Sequence, residues 1–358
     1  MRMINKFSRF FLFVICVFSV VSLYASEQDD MLASEKNTID IFQKFSPKVV
    51  FVHRLSEVAN HSYEKMHVTT GAGSGIIWDA QGHIVTNFHV IKDADKLMIT
   101  IDNKTVPARV IGAEPRKDIA VLQIASPKAL QSLKSFTPFT MASTNNLQVG
   151  QKVIAIGNPF GLDHSLTVGV ISALGRQVPG IGGVTIRDMI QTDASINPGN
   201  SGGPLLDSKG RLLGMNTVIY SNSGASAGVG FAVPSDDIQR IVPQLIKNGR
   251  VILSGLGIHR VEPGIASRLG VRKGILIAEV LPNTPAAGIG LRGTHRDGWG
   301  RIQLGDVIVA LNGHPVRNYD DLYNLLTDIK VGERVTLTVN RHNKMINYKI
   351  KTIDIAAY

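Results

Sequence analysis

The run Asn197-Pro198-Gly199-Asn200-Ser201-Gly202-Gly203-Pro204-Leu205 limits what this chain can fold into more than any other stretch. Proline lacks the amide hydrogen that a helix interior needs, and glycine loses the most backbone entropy when held in one. The run must therefore be a turn, and it presents one hydroxyl, Ser201, among residues too small to shield it. An electrophile could approach that hydroxyl closely. The N–H groups of Gly199 and Ser201, with Asn200 assisting, could converge on one point where negative charge develops. Taken alone, a glycine-rich turn of this kind also suits an ordinary surface loop.

Two segments upstream change that balance. Thr86-Asn87-Phe88-His89-Val90 follows the apolar runs Gly75–Trp78 and Ile84-Val85, and Lys117-Asp118-Ile119-Ala120-Val121-Leu122 sets an acid at the head of an apolar strand. Each alone is ordinary, since the chain has 10 histidines to choose from and an acid is common at a strand edge. Together they place His89, Asp118 and Ser201 in the chain order of chymotrypsin-type serine proteases. Gly199-Asn-Ser201-Gly-Gly203 also matches the nucleophile elbow of α/β-hydrolases, which needs a helix after the serine and a downstream histidine. Gly202-Gly203-Pro204 opposes that helix, and His259, His295, His314 and His342 fall in a separate C-terminal module.

The 358 residues allow two or three domains with real cores, and 44% apolar against 18% charged residues excludes extended disorder. Short runs read as strands: Val49–Val52, Ser74–Trp78, His83–Asn87, Leu97–Ile101, Ile119–Ile124, Lys152–Gly157, Leu166–Ser172, Leu212–Asn216 and Val229–Val233. No βαβ alternation appears, so a parallel sheet is not expected. Gly71-Ala-Gly73-Ser-Gly75 leads into a strand and has the wrong glycine spacing for a nucleotide loop. Ser235 is expected to cap a helix that buries Ile238, Ile241, Val242, Leu245 and Ile246 and stops at Gly249. The fold class is thus mainly β: a chymotrypsin-like double β-barrel over residues 48–248, a boundary in Asn248–Ser254, then an α+β module over 255–354. In that module Asn318 should cap a helix with Leu322, Leu325, Leu326 and Ile329 inward.

Residues 1–25 read as a secretory signal: a basic start (Arg2, Lys6, Arg9), an apolar stretch from Phe10 to Leu23, and Ala25-Ser26 for cleavage. The apolar stretch is short for a transmembrane helix, so a stable membrane span is expected only if the signal stays uncleaved. The single cysteine, Cys16, lies within it, which leaves the mature chain to be held by its core without disulfides. Residues 26–47 form a polar then amphipathic segment with Ile41, Phe42 and Phe45 at helical spacing before Pro47. That segment fits a cap on the barrel or a subunit contact. The net charge of +10 is dispersed, which argues against a nucleic-acid partner. No metal site or cofactor is expected, because the histidines lack paired ligand spacing.

Thr86–Val90, Asp118–Leu122, Gly157-Asn158-Pro159-Phe160-Gly161-Leu162, Asn197–Leu205 and Gly228–Pro234 together resemble the HtrA/Deg family of serine endoproteases, and the last module resembles a circularly permuted PDZ domain. The resemblance implies Ser201 as nucleophile, His89 as base and Asp118 as its orienter. It also implies ATP-independent cleavage of unfolded exported proteins in a periplasm, a homotrimer or a multiple of it, and chaperone activity as an accompaniment or alternative. Ser195 and Ile196 replace the acid that gives trypsin its taste for Lys and Arg. Small to medium aliphatic residues are therefore expected in a pocket lined by Ile196, Met215, Asn216 and Thr217. Leu256, Gly257 and Ile258 resemble a loop that grips a peptide C-terminus; an ordinary β-turn is the plainer reading. The segment Leu55–Thr70 is shorter than the regulatory loop of some relatives, and Ala173–Asp193 and Ile219–Gly228 are candidate switch loops.

Overall fold

The computed structural model describes residues 31–59, 65–159, 161, 163–180, 185–217 and 228–355. The signal segment 1–25, residues 219–227 of one expected switch loop, and Phe160 and Leu162 lie outside the described residues. Twelve strands form two closed barrels. The first contains β1 (Val49–Ala59), β2 (Lys65–Ile77), β3 (His83–Thr86), β4 (Lys96–Ile101), β5 (Lys104–Glu114) and β6 (Ile119–Ile124), in the order β1-β2-β3-β6-β5-β4. The second contains β7 (Lys152–Gly157), β8 (Ser165–Pro179), β9 (Thr185–Thr192), β10 (Pro204–Asp207), β11 (Leu212–Thr217) and β12 (Gly230–Pro234), in the order β10-β11-β12-β9-β8-β7.

Side chains alternate across a strand, and here both faces are buried. In β6, Ala120, Leu122 and Ile124 fill the first barrel, while Ile119 and Val121 face a second apolar cluster between the barrels. In β7, Val153 and Ala155 fill the second barrel, while Ile154 and Ile156 meet the same shared cluster. These continuous Val/Ile runs are what double burial requires, and they are the strands most legible in the sequence. The strands passed over have other patterns. β5 carries Pro107 and exposes alternate residues; β10 is only Pro204–Asp207. The expected Ala173–Asp193 loop is largely strand, since β8 runs on to Pro179 and pairs with β9 through three register shifts. Likewise Leu55–Ala59 and Lys65–Thr70 continue β1 and β2 as a paired ribbon.

The helix Ser235–Asn248 buries Ile238, Ile241, Val242 and Leu245 in the shared cluster and ends at Gly249, whose φ of 71° suits glycine. Ser235 is not its cap: Pro234 takes that position, and the Ser235 hydroxyl donates to the Ala142 carbonyl at 2.6 Å. The C-terminal module follows, its sheet running Ile258–Arg260, Ile275–Val280, Val307–Leu311, Arg334–Arg341 and Lys344–Lys351. The helix Tyr319–Thr327 is capped by Asn318, as expected, and buries Leu322 and Leu326. It also touches the protease barrels. Asp320 accepts from the Thr185 amide at 2.6 Å, and Arg116 lies 4.7 Å over the Tyr323 ring. Burial pushes the Tyr323 phenol up to about 12. No helix of the described residues is long and apolar enough to cross a membrane.

The N-terminal helix Ala33–Phe45 covers the end of the second barrel. Ile41 and Phe45 are buried in the shared cluster, Phe45 stacks on Phe139 at 5.4 Å, and Lys152 Nζ donates to Thr38 Oγ1 at 2.7 Å. Gly210 lies so close that a Cβ there would stand 2.0 Å from the Phe45 ring. Phe45→Ala should therefore cost about 3 kcal/mol of stability, as truncation of a buried aromatic does. Equal losses of urea midpoint at low and high protein concentration would identify an intrachain cap. A loss seen only at high concentration would make the segment a subunit contact instead.

Candidate active site

His89 sits in the one-turn helix Phe88–Ile91 directly after β3. Its position is copied from Asp118 by several bonds. The Asp118 carbonyl accepts from the Phe88 amide at 3.2 Å and from Asn87 Nδ2 at 3.0 Å. Asp118 Oδ1 accepts from the His89 amide at 2.9 Å, and Oδ2 lies 2.8 Å from His89 Nδ1. Asp118 itself has a left-handed backbone, φ 54°, which aspartate tolerates better than most residues. A third donor reaches Oδ2 from the second barrel, the Thr217 hydroxyl at 2.9 Å. An ionised carboxylate only accepts, so its bond to Nδ1 requires the ring proton there and leaves the Nε2 lone pair available. The His89 side chain is 37% exposed and Asp118 9%, so the imidazole opens to solvent and the acid does not.

Ser201 is carried in a turn that only glycine could supply. Gly199 and Gly202 have φ of 101° and 86°, and a Cβ on Gly202 would stand 2.0 Å from the Ser74 carbonyl oxygen. Gly202 N–H donates to Asn216 O at 2.9 Å, and Asn216 N–H to Gly203 O at 2.8 Å. Since Thr217 follows Asn216, the serine turn and the acid are tied to the same strand, β11. Across the barrel interface, Ser74 N–H donates to Ser201 O at 2.7 Å, the Ser74 hydroxyl donates to Gly199 O at 2.6 Å, and Asn158 N–H donates to that hydroxyl at 2.7 Å. A Cβ on Gly73 would meet both Val90 and Ser201 O within 3.0 Å, so the turn packs against the residue next to His89. The structure thus brings His89, Asp118 and Ser201 into one locality. Ser74 was not anticipated. Its signal was the Gly71-Ala-Gly73-Ser-Gly75 run, in which Gly73 leaves space for the serine turn.

Other expected site residues have different places. Asn200 is diverted from an oxyanion role: its N–H donates to Asn197 O at 2.9 Å, its Nδ2 to Ser195 O at 3.3 Å, and its Oδ1 accepts from Ser165 at 3.2 Å. Gly199 and Ser201 remain as the candidate donors. Met215 is fully buried in the shared cluster, Asn216 Nδ2 is bound to Pro204 O at 3.0 Å, and Thr217 is spent on Asp118. Ile196 is 4% exposed and packs in the second barrel against Gly230. None of these four presents an open side chain to a substrate. Leu256, Gly257 and Ile258 line a groove of about 310 Å³ together with Tyr319, Leu322 and Leu326. Among the described residues no group of His, Cys, Asp or Glu could hold a metal ion.

Residues 73–215 match the model of the trypsin-like peptidase domain, and residues 254–352 that of the PDZ domain. Protease Do-like 1, chloroplastic, of Arabidopsis thaliana is 47% identical over 337 residues, 93% of this chain and 74% of that protein. The chain belongs to the HtrA family of serine endoproteases. The periplasmic serine endoprotease DegP of Escherichia coli (strain K12) is similar to this HtrA protein, 38% identical over 285 residues, 78% of this chain and 56% of DegP. A solved HtrA-type protease, AlgWS227A with decapeptide, superposes with a TM-score of 0.68 at 29% identity, covering 88% of this chain and 97% of that one. This HtrA protein is a serine endopeptidase.

Thr217→Val would remove the third donor to Asp118 and leave a buried carboxylate oxygen short of a partner, at a cost of about 1.5–3 kcal/mol. The expected result is roughly a tenfold fall in kcat with little change in KM. Unchanged kcat in steady-state kinetics would show that the hydroxyl has no part in placing the acid.

Proposed function

We propose that this HtrA protein is an ATP-independent endopeptidase that cleaves unfolded or damaged exported proteins at a Ser201-His89-Asp118 triad. The observation that carries the reading is the Asp118 carboxylate, which accepts from the His89 backbone amide, from His89 Nδ1 and from the Thr217 hydroxyl beside the Ser201 turn. Ser201 Oγ attacks the scissile carbonyl carbon while His89 Nε2 takes the hydroxyl proton. The tetrahedral oxyanion is held by the Gly199 and Ser201 N–H groups. His89 then passes its proton to the leaving amine, and the acyl-enzyme remains. Water, deprotonated by the same imidazole, releases the acid product and restores Ser201. Asp118 holds the reactive tautomer and stabilises the imidazolium between these transfers.

The PDZ domain is proposed to hold substrate C-termini. Its groove lies between the edge strand Ile258–Arg260 and the helix Tyr319–Thr327, with Leu256, Gly257 and Ile258 in its lining. An extended peptide would add to that edge with its carboxylate against the loop. The apolar start of the sequence supports export, and we propose a periplasmic setting and a homotrimer.

Ser201→Ala should abolish casein cleavage, assayed without ATP, while the variant keeps its fold and its peptide binding. Residual cleavage by that purified variant would defeat the assignment. Asp118→Asn should lower turnover by about 10⁴, because an amide donor facing Nδ1 would favour the wrong tautomer. The same Ser201→Ala protein, added to an aggregating client, reports whether holding activity persists without proteolysis.

A further inference from the structure

The peptide groove has an unusual far end. Arg260, the last residue of the edge strand, lays its guanidinium 4.1 Å over the ring of Tyr319, the first residue of the facing helix. The pair spans the groove from strand to helix. Among the described residues Arg260 makes no ion pair within 4.0 Å, and the acids of the neighbouring elements have partners of their own. Glu262 is occupied by the amide of Ile265, where it caps the helix Pro263–Arg268. Those backbone bonds, from Gly264 first and then Ile265, hold its carboxyl below the usual range, with the nearby charges of Arg268 and Arg260 adding to them without a direct ion pair. Asp320 accepts from Thr185 N–H and Asn324 Nδ2 and faces Arg187. Glu279 pairs with His259 at 3.4 Å, on the residue that alternates away from Arg260. A cation held flat against an aromatic ring keeps the edge of its planar fork free, and that edge matches a carboxylate bidentately.

The register of a bound strand says which ligand residue would meet it. A peptide whose carboxylate lies at Leu256–Ile258 runs antiparallel to the edge strand, at about 3.3 Å per residue. Side chains alternate, so the terminal residue and the one two places before it both point into the groove. The first reaches the apolar floor of Leu256, Leu322 and Leu326. The second comes level with Arg260 and Tyr319. We infer that the Arg260–Tyr319 pair is a charge selector, and that this PDZ domain favours protein C-termini with an apolar last residue and Asp or Glu at the third position from the end. This inference rests on the reading of the groove as a C-terminus site and names the class of chain end it takes.

The test uses the full chain carrying Ser201→Ala, with short fluorescent peptides that differ only at the third-last position and are supplied as free acids or amides. Binding is read by anisotropy. The Asp peptide should bind about tenfold tighter than its Asn counterpart, the scale of one charge-assisted hydrogen-bonded pair. Arg260→Gln, an exposed substitution, should bring the two within about twofold by removing that pair alone. Equal binding of Asp and Asn peptides, or a preference that survives Arg260→Gln, would overturn the selector. Equal binding of free acid and amide would instead overturn the C-terminus groove itself, so the two failures are distinct.

Discussion

The geometry of the candidate active site depends on where one buried carboxylate is held. Asp118 stands at the end of a short turn, Pro115–Lys117, with a left-handed backbone that its own bonds must sustain. Each side chain around it comes from a different part of the molecule. His89 belongs to the first barrel and Thr217 to the second, and both reach Oδ2. On the turn itself, Lys117 pairs with Asp237 of the helix between the barrels at 3.1 Å, while Glu114 grips Arg116 at 2.8 Å. Arg116 in turn lies over Tyr323 of the PDZ helix. The acid is therefore fixed by both barrels, the helix that seals them and the C-terminal domain.

The serine is held by a complementary device. Its turn has few side chains with which to fix itself, so its backbone is anchored by Ser74 across the interface and by Asn216 along β11. Ser74 lies within β2, three residues after a glycine whose added Cβ would collide with Arg54, and one after a glycine whose Cβ would collide with Val90 and the Ser201 carbonyl oxygen. Gly73 thus lets the serine turn approach the first barrel beside Val90, the neighbour of His89. A strand of larger residues would close the same barrel and hold the barrels apart.

Much of this could be read from the chain. β6 and β7 were legible because burial on both faces demands unbroken Val and Ile, and the candidates His89, Asp118 and Ser201 stood out because each lies in a short turn beside a strand, after β3, before β6 and before β10. β5 and β9 were not, because a strand with one solvent face, a proline or repeated register shifts lacks the dense apolar run that marks a buried one. The Asn318 cap was evident from its spacing, whereas Ser235, equally suited to a cap, went to Ala142 in another part of the fold. A local signal predicts a local bond only while no distant partner competes for it.

The sequence by itself determined the candidate groups: a hydroxyl in a glycine turn, an imidazole after one strand, a carboxylate at the head of another, and two β-rich domains in series. These follow from residue type and short spacing, which are properties of neighbouring residues. The tertiary structure alone decided that Thr217 serves the acid, that the Asn200 side chain turns to Ser195 and Ser165, that Met215 fills the core, and that Arg260 lies across the groove on Tyr319. Each of those outcomes joins residues far apart in the chain, and such a pairing is set by how the barrels and the PDZ domain pack, for which no local pattern exists.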